Sequence, residues 1–167
     1  MKRLILSALL CGFAGMSMAQ ENTSSFGTLQ EDADKEVSAT ADTMILEEEL
    51  GYSIMEGNVV VIQGGSTLTA EKVRAEYTED RSEIKHIIAT GNVVLLSGED
   101  IAKGDRADYY LLENTVVLTG NAYVKQGTDT MTAQRITMNT ITGAAEMTGR
   151  VTTVLTPKKD EEGKKSE

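Results

Sequence analysis

The stretch "VVLTGNAYV", residues 116–124, decides the fold, because it has the composition of a β-strand with a Gly-Asn pair in its middle. The same pattern occurs in "SIMEGNVVV" (53–61) and in "IIATGNVVL" (87–95). A glycine inside a strand costs stability, so three occurrences at an equivalent place indicate a geometric requirement. We interpret each Gly-Asn pair as the point at which a long strand bends.

These pairs belong to an internal repeat. Gly57, Gly91 and Gly120 begin the three pairs, and Gly149 in "TGRVTTVL" occupies a fourth equivalent position. Between them lie copies of a second unit: "TADTMILE" (40–47), "TAEKVRAE" (69–76) and "TAQRITMN" (132–139). A small residue recurs in the second unit after 29, 34 and 29 residues, at Ala41, Ala70, Gly104 and Ala133. Self-similarity at this period indicates one supersecondary unit copied along the chain.

The second unit has a period of two with one interruption. Its apolar residues alternate, skip one extra residue and then alternate in the opposite phase, as in Leu68 and Ala70 followed by Val73 and Ala75. An extra residue that reverses the phase is typical of a bulge or a corner in a strand, and helical spacing is missing. Turn-forming residues then divide the repeat region into about eight passes.

The sequence therefore predicts an all-β fold, a twisted open β-jellyroll of two antiparallel sheets with about 16 short strands from eight bent passes. A rival interpretation makes each Gly-Asn pair a two-residue hairpin turn. That alternative would leave flanking strands of only about four residues, below the usual strand length. An open arrangement of this kind leaves unpaired strand edges at both ends.

Four segments are expected along the chain. Residues 1–19 have the pattern of a signal peptide, and the alternative is a lipoprotein modified at Cys11. Residues 20–36 are polar and acidic and are expected to form a flexible leader. Residues 37–156 form the β-jellyroll domain, and residues 157–167 are expected to be a disordered tail.

Charge and cysteine content restrict the function. Removal of Lys2 and Arg3 with the signal peptide would take the formal net charge from −10 to about −12, and it would remove the only cysteine. An exported protein without cysteine needs no disulfide, which fits a bacterial periplasm or the outside of the cell. The strongly acidic balance argues against nucleic-acid binding.

No catalytic constellation is evident. His86 is the only histidine and lies beside a loop, so it is interpreted as a surface residue. The acidic run "LEEEL" (46–50) lacks the spacing of a calcium loop and is interpreted as a solvated strand end. We therefore expect neither an enzyme, nor a cofactor, nor a metal site.

Five basic residues cluster near the phase reversals: Lys72, Arg74, Lys103, Arg106 and Arg135. One interpretation is cross-strand pairing with neighbouring carboxylates, each pair contributing about 0.2–1 kcal/mol. The other is a basic rim that meets an anionic ligand, most directly through Lys72, Arg74, Arg106 and Arg135. The interior residues also allow two interpretations. Their aliphatic and Met side chains suit either a closed core or a splayed apolar trough.

At this point the sequence resembles a known family. "VVLTGNAYV", "AQRIT", "GRVTTVLTP" and "EGNVVVIQGGSTLTAEKV" are similar to the OstA-like family of periplasmic lipopolysaccharide-transport proteins. The resemblance extends from about Val37 to Pro157 and is weakest between Thr78 and Asp108. It implies a twisted β-jellyroll whose apolar groove holds the acyl chains of lipid A.

The resemblance also implies site residues and partners. Groove positions would be Met44, Leu46, Val59, Val61, Leu68, Val73, Ala75, Ile136 and Met138. The edge strands would hold Val37, Ala39 and Ala41 at one end and Val151, Thr153 and Leu155 at the other. Copies would stack end to end, between LptC at the inner-membrane side and LptD with LptE at the outer-membrane side.

Two other functions stay open from the residues alone. The chain would be a structural β-repeat protein, such as an adhesin, if its core is closed and binds no lipid. It would be a lipid-binding subunit of an enzyme if its trough binds lipid for an active site on another chain.

Overall fold

The computed structural model describes residues 26–156. The expected signal peptide, the first part of the leader (20–25) and the expected tail (157–167) lie outside the described residues. The described chain forms ten strands, and they are β1 Val37–Thr40, β2 Thr43–Glu47, β3 Tyr52–Gln63, β4 Ser66–Tyr77, β5 Ile84–Ser97, β6 Asp100–Tyr110, β7 Thr115–Gln126, β8 Asp129–Asn139, β9 Ala145–Thr148 and β10 Thr152–Val154.

Each pass pairs antiparallel with the next one along the chain. β1 and β2 are the two halves of the first pass on β3, and β9 and β10 are the two halves of the last pass on β8. The all-β class and the eight bent passes are confirmed. The expected count of sixteen strands is too high, because β3 to β8 continue through their bends and the two expected sheets are halves of one bent ladder.

The bend lies at the Gly-Asn pair, as β7 illustrates. Gly120 and Asn121 both have positive φ angles, 73° and 49°, and the register with β8 shifts between Thr119 and Ala122. The strand nevertheless runs on from Thr115 to Gln126. The rival interpretation of this pair as a hairpin turn is therefore wrong.

A hydrogen bond from its asparagine to a carboxylate of the neighbouring pass fastens each Gly-Asn corner. The Asn121 amide donates to the Asp105 carboxylate at 3.1 Å, and the Asn58 amide donates to that of Asp42 at 2.9 Å. Asn92 makes the equivalent bond to Glu71 at 2.6 Å. The acceptor always lies at the phase reversal of the adjacent pass, so the two kinds of bend interlock.

Two apolar clusters fill the space between the halves. The N-terminal cluster lies between β3, β4 and β5, and its buried members are Met55, Val59, Ala70, Val73, Ala89 and Val93. The C-terminal cluster lies between β6, β7 and β8, and its buried members are Phe26, Ala102, Val116, Leu118, Ala122, Val124, Ala133, Ile136 and Met138. Phe26 joins it from outside the sheet.

Residues 26–35, which we call the strap, form a series of turns before β1. The expectation of a flexible leader over 20–36 is wrong for this part. Phe26 is fully buried, and Gly27 N–H donates to the Asp100 carboxylate at 2.9 Å. Thr28 N–H donates to the Ser97 hydroxyl, also at 2.9 Å. One buried aromatic ring and these polar contacts order a stretch whose composition suggested a mobile one.

Asp32 joins the strap to the turn between β3 and β4. Its carboxylate accepts hydrogen bonds from the Thr28 hydroxyl at 2.7 Å, the Ser66 hydroxyl at 2.9 Å and the Gly65 N–H at 3.0 Å. The Thr28 bond is the main reason why the pKa of Asp32 is below its ordinary value of 3.8; the Gly65 and Ser66 bonds add to it, and burial opposes it.

The geometry of the corner predicts that a substitution of Gly120 destabilises the fold. A Cβ there would approach the Cβ and Cγ atoms of Asp105 to 2.8 Å, whereas a Cβ at Gly127 would meet open space. Both positions have positive φ, so alanine at either costs about 1–2 kcal/mol in backbone energy. Gly120→Ala should therefore lower the free energy of unfolding in urea by more than Gly127→Ala. Equal losses would contradict the interlocked corner.

The Asp32 hub predicts a pH-dependent contribution to stability. Asp32→Asn should lower the melting temperature at pH 7, whereas the exposed neighbour in Asp34→Asn should change it little. Because the folded-state pKa of Asp32 is lowered, its contribution is complete above pH 3.8 and is lost as the pH falls through the lower folded-state value. The gap between wild type and Asp32→Asn in calorimetry should shrink in that acidic range. A constant gap at every pH would count against this role.

Candidate functional site

An apolar groove opens between the two halves of the N-terminal passes. Its volume is about 580 Å³, within the usual range of ligand sites. Most of its lining is aliphatic or methionine, with a few polar groups: Val37, Ala39, Met44, Ser53, Met55, Val61, Gln63, Leu68, Val73, Ala75, Tyr77, Glu83, Ile84, Ile87, Leu111 and Leu112.

Five of the nine expected groove residues line it: Met44, Val61, Leu68, Val73 and Ala75. Leu46 lies in an adjoining depression with Tyr52 and Tyr77. Val59 is buried in the N-terminal cluster.

Ile136 and Met138 depart from the expectation. They face the interior, but they are only 1% and 2% exposed within the C-terminal cluster that Phe26 completes. The interior is thus open in its N-terminal half and closed in its C-terminal half.

Sequence reasoning missed several lining residues. Met55 lies in phase with the buried Ser53 along β3, so alternation could have identified it. Ile87 and Leu112 lie in or beside the stretch where the family resemblance is weak, and Leu112 lies in the turn between β6 and β7, which has no periodic signal. In the same stretch Leu95 packs against the C-terminal cluster and therefore faces inward.

A small cavity continues the groove toward the closed half. Its volume is about 60 Å³, and Leu68 and Ile87 line both spaces. At its far side it meets Val116 and Leu118 of the C-terminal cluster, and Leu29 of the strap lines it as well. The apolar interior is therefore continuous, with strap side chains in its C-terminal part.

The expected basic rim lies on the wrong face for the groove. Lys72, Arg106 and Arg135 occupy one cross-strand row. The next residues, Val73 and Ile136, are buried inside, and Ala107 packs against the apolar clusters. Successive side chains in a strand point to opposite faces, so this row faces outward. Arg74 shares that outer face.

The outer cations also have acidic partners. Lys72 pairs with Glu56 at 2.6 Å and Arg74 with Glu76 at 2.9 Å. Arg106 pairs with Asp108, whose hydrogen bond raises the pKa of the guanidinium. Cross-strand pairing, the other interpretation of these residues, describes Lys72, whereas Arg74 and Arg106 pair with a carboxylate two residues further along their own strand.

His86 belongs to the same outer face. It lies 3.2 Å from Asp108 and 3.6 Å from Glu76, and its ring stacks on Tyr110 with 4.3 Å between centroids. The described residues contain no group of three or more His, Cys, Asp or Glu side chains that could hold a metal ion. His86 is thus part of a largely buried polar cluster with Asp108 and Glu76 on the face opposite the groove.

Both ends of the ladder present a free edge within residues 26–156. β1 and β2 pair only with β3, and β9 and β10 pair only with β8. Apolar side chains at these ends are exposed, including Val37 at 56% and Leu155 at 69%. Of the other expected edge residues, Ala39 lies in β1 and Thr153 in β10, whereas Ala41 lies between β1 and β2, and Val151 just before β10.

Comparison with known proteins agrees with this architecture. The chain is 22% identical to LptH of Pseudomonas aeruginosa in a crystal structure described as the LptA homologous periplasmic component of the lipopolysaccharide transport device. The TM-score is 0.67, over 75% of this chain and 99% of that one. At this identity the match shows a shared fold.

Sequence relatives extend the comparison. The chain is 27% identical over 149 residues to the lipopolysaccharide export system protein LptH of P. aeruginosa, covering 78% of this chain and 85% of that protein. It is 28% identical over 155 residues to an uncharacterized protein of Rhizobium meliloti, covering 86% and 83%. It is 33% identical over 95 residues to LptD of Acinetobacter baumannii, covering 57% of this chain but 11% of that protein.

Among residues 26–156, no helix is long and apolar enough to cross a membrane. Residues 38–144 match the family described as LptA/(LptD N-terminal domain) LPS transport protein, and this range is more than half of the chain. The bent ladder, the apolar groove and this match agree, and the chain belongs to that family of lipopolysaccharide-transport proteins.

Proposed function

We propose that this protein is a periplasmic carrier that binds lipopolysaccharide through its acyl chains and catalyses no reaction. The observation that carries the proposal is the open apolar groove between the two halves of the bent sheet. A closed core would suit a structural β-repeat protein, which was the alternative from composition. The open N-terminal half favours the carrier.

The chemistry of the groove suits acyl chains. Met44 and Met55 are flexible side chains that adapt to an irregular apolar ligand, and Val61, Leu68 and Ala75 add smooth aliphatic surface. Each methylene transferred from water into such a groove contributes about 0.8 kcal/mol. An acyl chain of ordinary length therefore supplies enough free energy to offset the loss of motion on binding.

The head group would stay in solvent at the open side of the groove. The outer-face cations Lys72, Arg74 and Arg106 have carboxylate partners and point away from the lining, so they are poorly placed for lipid phosphates. Binding would thus depend on acyl chains more than on phosphate contacts.

The free edges would join successive copies. A strand that pairs on one side only offers its other row of backbone groups to another strand, which is β-augmentation. Head-to-tail joining of the β1–β2 end to the β9–β10 end would align the grooves into one path. The two ends of that path would dock on LptC at the inner membrane and on LptD with LptE at the outer membrane, and energy would come from the inner-membrane complex.

A pair of adjacent valines tests the lipid site. Val61 lines the groove and Val60 lies on the opposite face of the same strand, and both are partly exposed. Val61→Glu should weaken binding of rough lipopolysaccharide about tenfold or more, because a carboxylate among acyl chains lacks a partner. Val60→Glu should leave binding unchanged in the same native mass spectrometry titration.

Two outcomes would count against this proposal, and a third is checked by the control. Wild-type protein that takes up no lipopolysaccharide would exclude the carrier. Equal binding by Val61→Glu and wild type would place the acyl chains elsewhere. Equal weakening by both variants would point to a general effect on folding, which the melting temperatures would reveal.

A pair of proline substitutions tests the edge. In an antiparallel strand successive N–H groups point to opposite sides, so of Val37 and Ser38 one donates toward β3 and the other toward the free edge. Val37→Pro and Ser38→Pro should therefore differ. One should abolish end-to-end association in analytical ultracentrifugation while keeping the melting temperature, and the other should lower that temperature. Association that survives both changes would show that β1 is not the joining edge.

A further inference from the structure

The strap blocks the C-terminal part of the apolar interior. Phe26 is the largest fully buried side chain among the described residues, and it belongs to the C-terminal cluster with Leu118, Ile136 and Met138. Leu29 packs against the same cluster and lines the small cavity that continues the groove. Two strap side chains therefore fill the space where the groove would otherwise extend.

The strap crosses between the two rows of hairpin turns. On one row it contacts Ser97 and Asp100 of the β5–β6 turn region, through Thr28 N–H and Gly27 N–H. Toward the other row the Gln30 amide donates to the Thr140 hydroxyl at 3.3 Å. These two rows end the two halves of the sheet, so the strap spans the side on which the halves separate.

The strap is held by contacts that can break and form again. Its residues form turns and take no part in the β-ladder. Hydrogen bonds that each include a side chain hold it, chiefly from Thr28 N–H to the Ser97 hydroxyl and from the Ser66 hydroxyl to the Asp32 carboxylate. Apolar contacts at Phe26 and Leu29 add to them. It can therefore lift while every strand pair stays intact, as segments outside the regular structure commonly do.

We propose that the space under the strap is a second acyl-chain site, which Phe26 and Leu29 occupy in the unloaded protein and vacate on loading. This inference rests on the proposed function, because the occupant is the acyl chain of a lipid already held in the open groove. Continuity supports it, since Leu68 and Ile87 line both the groove and the cavity that leads under Leu29. Displacement of the strap would open this continuous apolar interior to a ligand from β1 to β8.

A disulfide across the strap tests the inference. The Thr28 and Ser97 hydroxyl oxygens are 3.5 Å apart, close enough for Thr28→Cys and Ser97→Cys to form a bridge in a Cys11→Ser background. Met55 lines the open groove and Met138 lies in the closed C-terminal cluster. Their methyl NMR signals therefore report separately on the open and the closed part of the interior. Rough lipopolysaccharide is added to the oxidised and to the reduced protein.

The reduced protein should show changes at both methionines, and the oxidised protein should lose the Met138 response and keep that of Met55. The single variant Thr28→Cys is the matched control and should respond at both positions under either condition. A Met138 response in the oxidised protein equal to that in the reduced protein overturns the inference. So does a reduced protein in which only Met55 responds.

Failure of the proposed function gives a different result. If neither methionine responds in wild type, lipopolysaccharide does not enter the interior, and both proposals fall. A second variant covers poor folding of the double-cysteine protein: Phe26→Ala should make Met138 respond at lower lipopolysaccharide concentration than in wild type. An unchanged Met138 titration in Phe26→Ala, with Met55 still responding, also overturns the inference.

Discussion

The whole architecture depends on a pair of left-handed residues placed in the middle of a strand. Gly120 and Asn121 show the geometry, and the Asp105 carboxylate of the adjacent pass fastens it. L-residues rarely adopt positive φ, so the bend occurs where a glycine is followed by a residue that tolerates it: asparagine at three corners, and Arg150 after Gly149 at the fourth. Repetition of this pair aligns the bends, and the aligned bends divide one ladder into two facing halves.

The two facing halves enclose the apolar interior. Whether that interior is an open groove or a closed core depends on which other segments of the chain enter it. At the N-terminal end nothing in the described chain covers Met44 or Val61, and a groove results. At the C-terminal end the strap inserts Phe26, and the same architecture becomes a closed core. The difference between an open groove and a packed core is therefore made by one short segment outside the repeat.

The repeat made much of this fold predictable. Every feature that recurs with the unit, including the bends at Gly-Asn and the inward phase of Val73 and Ile136, was accessible from the sequence. The outward direction of Lys72 was accessible too, since it is adjacent to the inward Val73, although the basic residues were also interpreted as a rim.

The strap could not be predicted in the same way. It has no period, and its contacts join residues far apart in the chain, such as Thr28 with Ser97. A polar composition with one aromatic residue gives no local signal for burial, because the burial depends on turns that the remote passes bring together. The closure of the space around Ile136 and Met138 was missed for this reason.

The central claim is that the corners hold the two halves apart so that acyl chains lie between them. The most direct measurement is a crystal structure of the protein with bound lipopolysaccharide. The account predicts acyl-chain density between the halves, in contact with Met55, Val61 and Leu68. Lipid density on the outer face beside Arg74 and His86, with the groove empty, would contradict it.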